Sequence, residues 1–262
     1  HQALSAANLA HQALACLLAD RSWMANAELH AAAHELKLPL RFIHSTSELP
    51  PERHADDGLR LLLGERPLDI ERLGQRRGRL SVVGLGPGAA EHMTPAVRRA
   101  LDEAEDLLGY DTYVKMAGPL RADQCLHPSD NREELQRAAH AFELAATGRR
   151  VVMISSGDPG VFAMAAAVME ALESPQNEVW HGVELEVLPG VSAALATAAK
   201  AGAPLGHDFC LISLSDNLKP WAVIEKRLEH AAIADLAMAF YNPISKSRPW
   251  QLGRALDLLR QH

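Results

Sequence analysis

Leu80-Ser-Val-Val-Gly-Leu-Gly-Pro-Gly88 is an apolar run that breaks into a glycine-proline turn, and it decides the fold class. Leu80 to Val83 predicts a strand. Gly84 to Gly88 predicts a tight turn, because glycine permits unusual dihedrals and Pro87 fixes one φ angle. Thr94-Pro95 then opens a helix with a cap residue followed by proline at the first helical position. The stripe Val97, Ala100, Leu101, Ala104, Leu107 and Leu108 continues that helix at helical spacing. The same succession returns downstream. Val151 to Ser155 reads as a strand running into Ser156-Gly-Asp-Pro-Gly160 and a helix over Val161 to Leu172. Leu185 to Leu188 leads into Pro189-Gly-Val-Ser-Ala193 and a helix closed by Gly202. Between these lies a helix over Arg132 to Ala146, with Asn131 as cap, Glu134 placed for a capping box and Gly148 as stop. Strands Phe209 to Leu214 and Leu236 to Tyr241, and helices Pro220 to Ala232 and from Trp250 onward, complete the pattern. Strands alternating with helices predict an α/β fold with a largely parallel sheet covered on both faces.

Upstream the texture differs. Residues 1–52 are alanine-rich, with a helix predicted over Ala27 to Lys37, capped by Asn26 and stopped at Leu38-Pro39, then a short strand Leu40 to Ile43. Residues 53–79 are polar and punctuated, which predicts a linker carrying one short helix near Leu59 to Leu63. The reading divides the chain into residues 1–52, a linker over 53–79, a first α/β domain over 80–205, and the start of a second over 206–262.

The totals exclude several classes. A chain of 262 residues can bury one large core or two smaller ones. Its formal charge of −7 disfavours a general nucleic-acid binder, which needs surplus cations for phosphates. A local cation cluster for an anionic small substrate stays compatible with that charge. Cys16, Cys125 and Cys210 are far apart and form no CxxC pair, so they read as thiols of a reducing compartment, the cytoplasm. No stretch reaches the ~20 apolar residues of a membrane span. The chain opens on His1 without methionine or a signal-like start, which predicts a processed or excised piece.

The turns carry the candidate chemistry. Gly84-Leu-Gly-Pro-Gly88 has GxGxG spacing, not the dinucleotide GxGxxG, and serves equally as a structural turn or a ligand loop. Asp158 stands on a glycine-proline turn at a strand's carboxyl end, where open α/β sheets bind ligands. It is suited to accept from ribose hydroxyls or an amine, or to cap the next helix. Ser192 offers a helix N-cap and a ligand contact, and the two roles are compatible. His30 and His34 have metal-ligand spacing on one helix face, but a third ligand is not indicated and no metal is expected. No serine sits in GxSxG, so covalent catalysis has no visible carrier.

Together these stretches resemble the tetrapyrrole methylase family, class III methyltransferases that bind S-adenosylmethionine between two α/β domains. The resemblance runs from about Arg79 onward. It rests on Val83-Gly-Leu-Gly-Pro-Gly88, Thr94, Leu108-Gly-Tyr110 with Tyr113, Asn131-Arg-Glu-Glu134, Ser155-Ser-Gly-Asp-Pro-Gly-Val-Phe162 and Leu188-Pro-Gly-Val-Ser-Ala193. Gly202-Ala-Pro-Leu-Gly-His-Asp208, Ser213-Leu-Ser-Asp216, Pro220-Trp221 and Phe240-Tyr-Asn-Pro243 complete it. The last stretches look like the family's precorrin-3B C17-methyltransferase branch. That implies methyl transfer to C17 of precorrin-3B with ring contraction to precorrin-4, in cobalamin biosynthesis, or the cobalt-containing counterpart. Another methylase of the same fold, or a non-catalytic scaffold of the same pathway, are the competing expectations. Residues 1–52 resemble the end of a CbiG/CobE-like domain. The resemblance also implies that the second α/β domain continues with further strands, and that the complete protein is a homodimer.

The same resemblance supplies the expected site. S-adenosylmethionine would contact Gly86, Pro87, Gly88, Gly157, Asp158, Val161, Ser192, Ala193 and Tyr241. Precorrin carboxylates would meet Lys115, Arg132, Lys219, Lys246 and Arg248. A base for ring contraction would come from among Asp216, His207, Tyr113 and Tyr241.

Overall fold

The computed structural model describes residues 8–44, 52–56, 59–62, 64, 66–129, 134–173, 178–245 and 248–262. Its centre is a five-stranded, all-parallel sheet built from β6 (Arg79–Gly84), β7 (Asp106–Tyr110), β8 (Cys125–Ser129), β9 (Arg150–Ser155) and β10 (Glu184–Leu188). The spatial order is β10-β6-β9-β7-β8. The helices between them are α2 (Pro95–Glu103), α3 (Asp111–Met116), α4 (Glu134–Ala146) and α5 (Met164–Leu172).

Period two in the strands sorts the core into two layers. Leu80, Val82, Val151 and Met153 pack with Phe142 of α4 and Val168 of α5 on one face. Val83, Val152 and Ile154 pack with Val97 and Leu101 of α2 and Val114 of α3 on the other. Both faces are covered, so β6 and β9 are buried almost throughout and read as continuous apolar runs without polar alternation.

The crossovers place the ligand end. From β6 the chain passes over β9 through α2 to reach β7, whereas from β9 it passes back over β6 through α5 to reach β10. Two such crossovers running in opposite directions must use opposite faces of the sheet. The loops after β6 and β9 therefore part, leaving a crevice at the carboxyl ends of these strands.

A second, two-stranded parallel sheet joins β11 (Phe209–Ser213) to β12 (Ala237–Tyr241). It is packed by α7 (Trp221–Ile233) and α8 (Gln251–Leu259) through Ile212, Leu214, Ile224, Leu228 and Ala255. The helix α6 (Ala193–Lys200) connects the two sheets. Ahead of everything, β1 (Leu17–Asp20) pairs parallel with β2 (Leu40–Ile43), which pairs antiparallel with β5 (Gln75–Arg76), beside α1 (Ala27–Leu36). Side chains tie this unit to the larger one, Arg76 among them through the Gly148 carbonyl at 2.8 Å. Arg21 Nη2 donates to the Ala146 carbonyl at 2.9 Å, and Gln75 Nε2 donates to the same oxygen at 3.1 Å.

Several expectations need correction. Leu107 and Leu108 lie in β7, not in the preceding helix, which ends at Glu103. Both leucines are buried between helix layers, and a three-residue spacing fits either element until that burial is known. The short helix near Leu59 to Leu63 is instead β4 (Leu59–Leu62), paired antiparallel with β3 (Glu52–Asp56). Asp57-Gly58 stands between them in sequence, a dipeptide that hairpin loops favour. β1 and β8 were not predicted at all; Pro128 within β8 is tolerated because that strand lies at the sheet's edge. The helix expected from Val161 begins at Met164. Asn26 and Thr94 cap as expected, accepting from Leu29 N at 2.7 Å and Val97 N at 3.3 Å. Asn131, Arg132 and Lys246 lie outside the described residues.

Candidate functional site

Three loops meet at the carboxyl ends of β10, β6 and β9, and glycines let them touch through their backbones. Gly86 and Gly157 form a two-way bridge, with N–H···O distances of 3.1 and 2.8 Å. A Cβ built on Gly84 would stand 2.3 Å from the Gly157 carbonyl oxygen. One built on Gly190 would stand 2.1 Å from the same oxygen. Gly157 itself has φ +62, with 3.8 Å to the nearest atom on its open side, so room remains for a ligand to approach its main chain.

Asp158 joins two of the loops. One carboxylate oxygen accepts from Gly160 N at 2.8 Å and the other from Gly190 N at 3.1 Å. It does not cap α5, whose N-cap is Ala163 and lacks a side-chain cap bond. Each oxygen keeps a lone pair for a further donor. Half-buried Asp158, exposed Gly88 and exposed Ala193 thus present acceptors and bare backbone to a ligand. A nucleoside with ribose hydroxyls fits this set.

The second sheet reaches the same place through one side chain. Tyr241, at the end of β12, sets its hydroxyl 2.5 Å from Ser192 Oγ and accepts from Ala194 N at 3.1 Å. Ser192 sits at the N-cap of α6 but makes no cap bond; its hydroxyl is committed to Tyr241 instead. Sequence reasoning missed two contributors: Gly190, whose backbone binds Asp158, and Phe162, whose ring lies 5.2 Å from that of Tyr241. Both stood in quoted motifs; what left no local signal is the contact each makes across the chain.

The other candidates are dispersed. Asp216 accepts from Arg248 Nη1 and, at 3.0 Å, from Gln251 Nε2, so this acid and this cation are held by each other. Lys115 is paired with Asp111 one turn back on α3. Tyr113 packs under α2, edge-on to Tyr110 at 5.5 Å. His207 is exposed in the turn before β11. Lys219 donates to the Ser215 carbonyl at 3.3 Å, and burial, then the Arg227 charge, holds its ammonium below the usual lysine range. His30 Nε2 lies 2.7 Å from the Met24 carbonyl and its ring beside Phe42, while His34 is exposed. Among the described residues no group of three His, Cys, Asp or Glu is placed to hold a metal ion, and no helix is long and apolar enough to cross a membrane.

Fold and loops together define an open α/β protein whose glycine loops converge at the carboxyl edge of β10, β6 and β9. The chain belongs to the family described as Tetrapyrrole (Corrin/Porphyrin) Methylases, which matches residues 79–262. It is similar to a precorrin-3B C(17)-methyltransferase from Sinorhizobium sp, 58% identical over 183 residues that make up 70% of this chain and 71% of the relative. The crystal structure of the methyltransferase CobJ superposes with a TM-score of 0.67 at 60% identity, covering 70% of this chain and 76% of that one. Uroporphyrin-III C-methyl transferase from Thermus thermophilus, complexed with S-adenyl homocysteine, superposes at a TM-score of 0.50 with 25% identity, covering 69% and 77%. Residues ahead of 79 lie outside the family match.

Asp158→Ala is expected to weaken binding of S-adenosylhomocysteine by about 1–3 kcal/mol, through loss of a carboxylate acceptor and release of the Gly190 loop. Calorimetry checks it; unchanged affinity in the folded variant would leave Asp158 a purely structural link.

Proposed function

We propose that the chain performs S-adenosylmethionine-dependent methylation of precorrin-3B at C17, with ring contraction to precorrin-4, in cobalamin biosynthesis. One observation carries the reading: the glycine loops after β6, β9 and β10 converge with Tyr241 of the second sheet on one small-residue cleft. The 58% identity to the Sinorhizobium methyltransferase supports the choice of substrate.

In this reading Gly86, Pro87, Gly88, Gly157, Asp158, Val161, Ser192, Ala193 and Tyr241 hold the cofactor. When bound, it supplies a methyl group already activated on sulfonium, so the protein needs no covalent nucleophile. The loops orient that group toward a carbon nucleophile and exclude water, worth several kcal/mol through positioning alone. Among the cation candidates, Lys219 is nearest to a substrate role, being half-buried and bonded to a carbonyl oxygen in place of a carboxylate. Arg248 would first have to leave Asp216, and Lys115 to leave Asp111. The hydroxyl of Tyr241 is already shared with Ser192 and Ala194, so it suits positioning better than proton abstraction. In this reading 80–205 is the first methylase domain and 206–262 belongs to the second, the setting is cytoplasmic, and the whole protein is a homodimer.

Incubation with precorrin-3B and isotopically labelled S-adenosylmethionine tests it by mass spectrometry. One labelled methyl at C17 is expected. Binding of S-adenosylhomocysteine without any transfer would overturn the catalytic reading in favour of a scaffold.

A further inference from the structure

Phe162 stands in the left-handed region at φ 53, a conformation that costs a residue with a side chain roughly 1–2 kcal/mol. Burial of the ring does not offset that cost, because Phe162 is 52% exposed. Such strain at a ligand loop is grounds for suspecting a role. What the conformation achieves is a direction. The ring leaves the loop after β9 and meets the ring of Tyr241 at the end of β12, with centroids 5.2 Å apart and planes at 57°. Tyr241 is in turn fixed by Ser192 and Ala194. Two tilted rings, one from each sheet, form an aromatic wall beside Asp158.

We propose that Phe162 is a substrate-positioning residue, held outward by its backbone so that its ring packs on an apolar face of the tetrapyrrole macrocycle. The inference rests on the function proposed above. A largely apolar macrocycle with carboxylates on its periphery is the chemistry such a wall receives, since aromatic rings gain from contact with apolar groups.

The test compares Phe162→Gly, Phe162→Leu and Phe162→Tyr in the same chain. In Phe162→Gly and Phe162→Leu, KM for precorrin-3B is expected to rise about tenfold, while calorimetric affinity for S-adenosylhomocysteine stays within about twofold. Phe162→Tyr should restore KM. Phe162→Gly should melt no lower than the parent, because glycine adopts the positive φ without strain. An unchanged KM in Phe162→Gly would overturn the proposal. A parallel loss of S-adenosylhomocysteine affinity would also overturn it, assigning the ring to the cofactor's base. A fall in both KM performance and melting temperature of the glycine variant would make the role structural. If the parent binds S-adenosylhomocysteine but takes up no tetrapyrrole, the functional reading itself fails, and that result is separate from any difference among the variants.

Discussion

Gly190→Ala is expected to reduce affinity for S-adenosylhomocysteine about a hundredfold or more, the largest effect of any single methyl group in the molecule's ligand end. Gly190 has no left-handed dihedral to lose, so the obstacle is space alone. An added Cβ would stand 2.1 Å from the Gly157 oxygen and 2.5 Å from the Gly84 oxygen, and both are backbone atoms that cannot rotate away. The loop after β10 must shift, and its N–H then leaves the Asp158 carboxylate, now 3.1 Å away. Two of the three converging loops lose their link at once. A hundredfold change corresponds to about 2.7 kcal/mol, within the range that overpacking and a lost charged hydrogen bond reach together. Gly202→Ala is the control. Its φ of +87 imposes strain but nothing lies within 4 Å, so it should lower stability slightly and leave affinity alone. Equal affinities for Gly190→Ala and the parent would mean that the loops do not need this close approach.

Asp106→Asn should destabilise the fold by about 2–3 kcal/mol at neutral pH. The Asp106 side chain is 2% exposed, at the amino-terminal end of β7, away from the ligand loops. Burial pushes its carboxyl upward, but the hydrogen bonds from Arg149 and His127 outweigh that and hold it below the usual carboxylate range. Removing the charge strands two donors that were matched to it. The cost falls short of the ~3–5 kcal/mol of a wholly buried pair, because Arg149 and His127 remain 38% and 30% exposed and can turn to water. The sign with pH follows from the lowered folded value. The carboxylate's contribution is fully present above the unfolded value of about 3.9 and is lost as pH falls through the folded value. Urea unfolding of parent and variant should therefore show a gap at neutrality that is lost as the pH falls below about 4. A gap that is absent at pH 7, or that persists undiminished well below about pH 4, would contradict the assigned network.

The converging loops were legible in the sequence because they announce themselves. Glycine-proline turns after apolar runs mark both the strand ends and the places where backbone must be bare, and those signals are local. The helix caps Asn26 and Thr94 were legible for the same reason. Elements whose identity depends on distant burial were not. Leu107 and Leu108 fit a helical stripe until β9 is seen lying against them. Cys125–Ser129 offers no alternation to read, since an edge strand with a proline is mostly exposed. Asp158 was singled out by its turn, but its bond to Gly190 crosses 32 residues and could not be inferred. Tyr241 was singled out by motif, whereas its hydroxyl bond to Ser192 and its ring contact with Phe162 belong to the meeting of two sheets.

The position of β6 bears on how the chain is made. It is the first strand of the large sheet to leave the ribosome, yet in space it is flanked on both sides, Arg79 facing Arg150 on β9 and Glu184 on β10. Leu80, Val82 and Val83 thus emerge as a naked apolar segment with no mate yet translated. At roughly 5–20 residues per second, the wait for β10 is on the order of ten seconds. Long-range parallel pairing of this kind is slow to nucleate even afterwards. The nascent chain therefore passes through an interval in which β6 is a natural client for a holdase. Closure of the third loop waits for the turn over 189–192, and the cleft is complete only once Tyr241 has followed it.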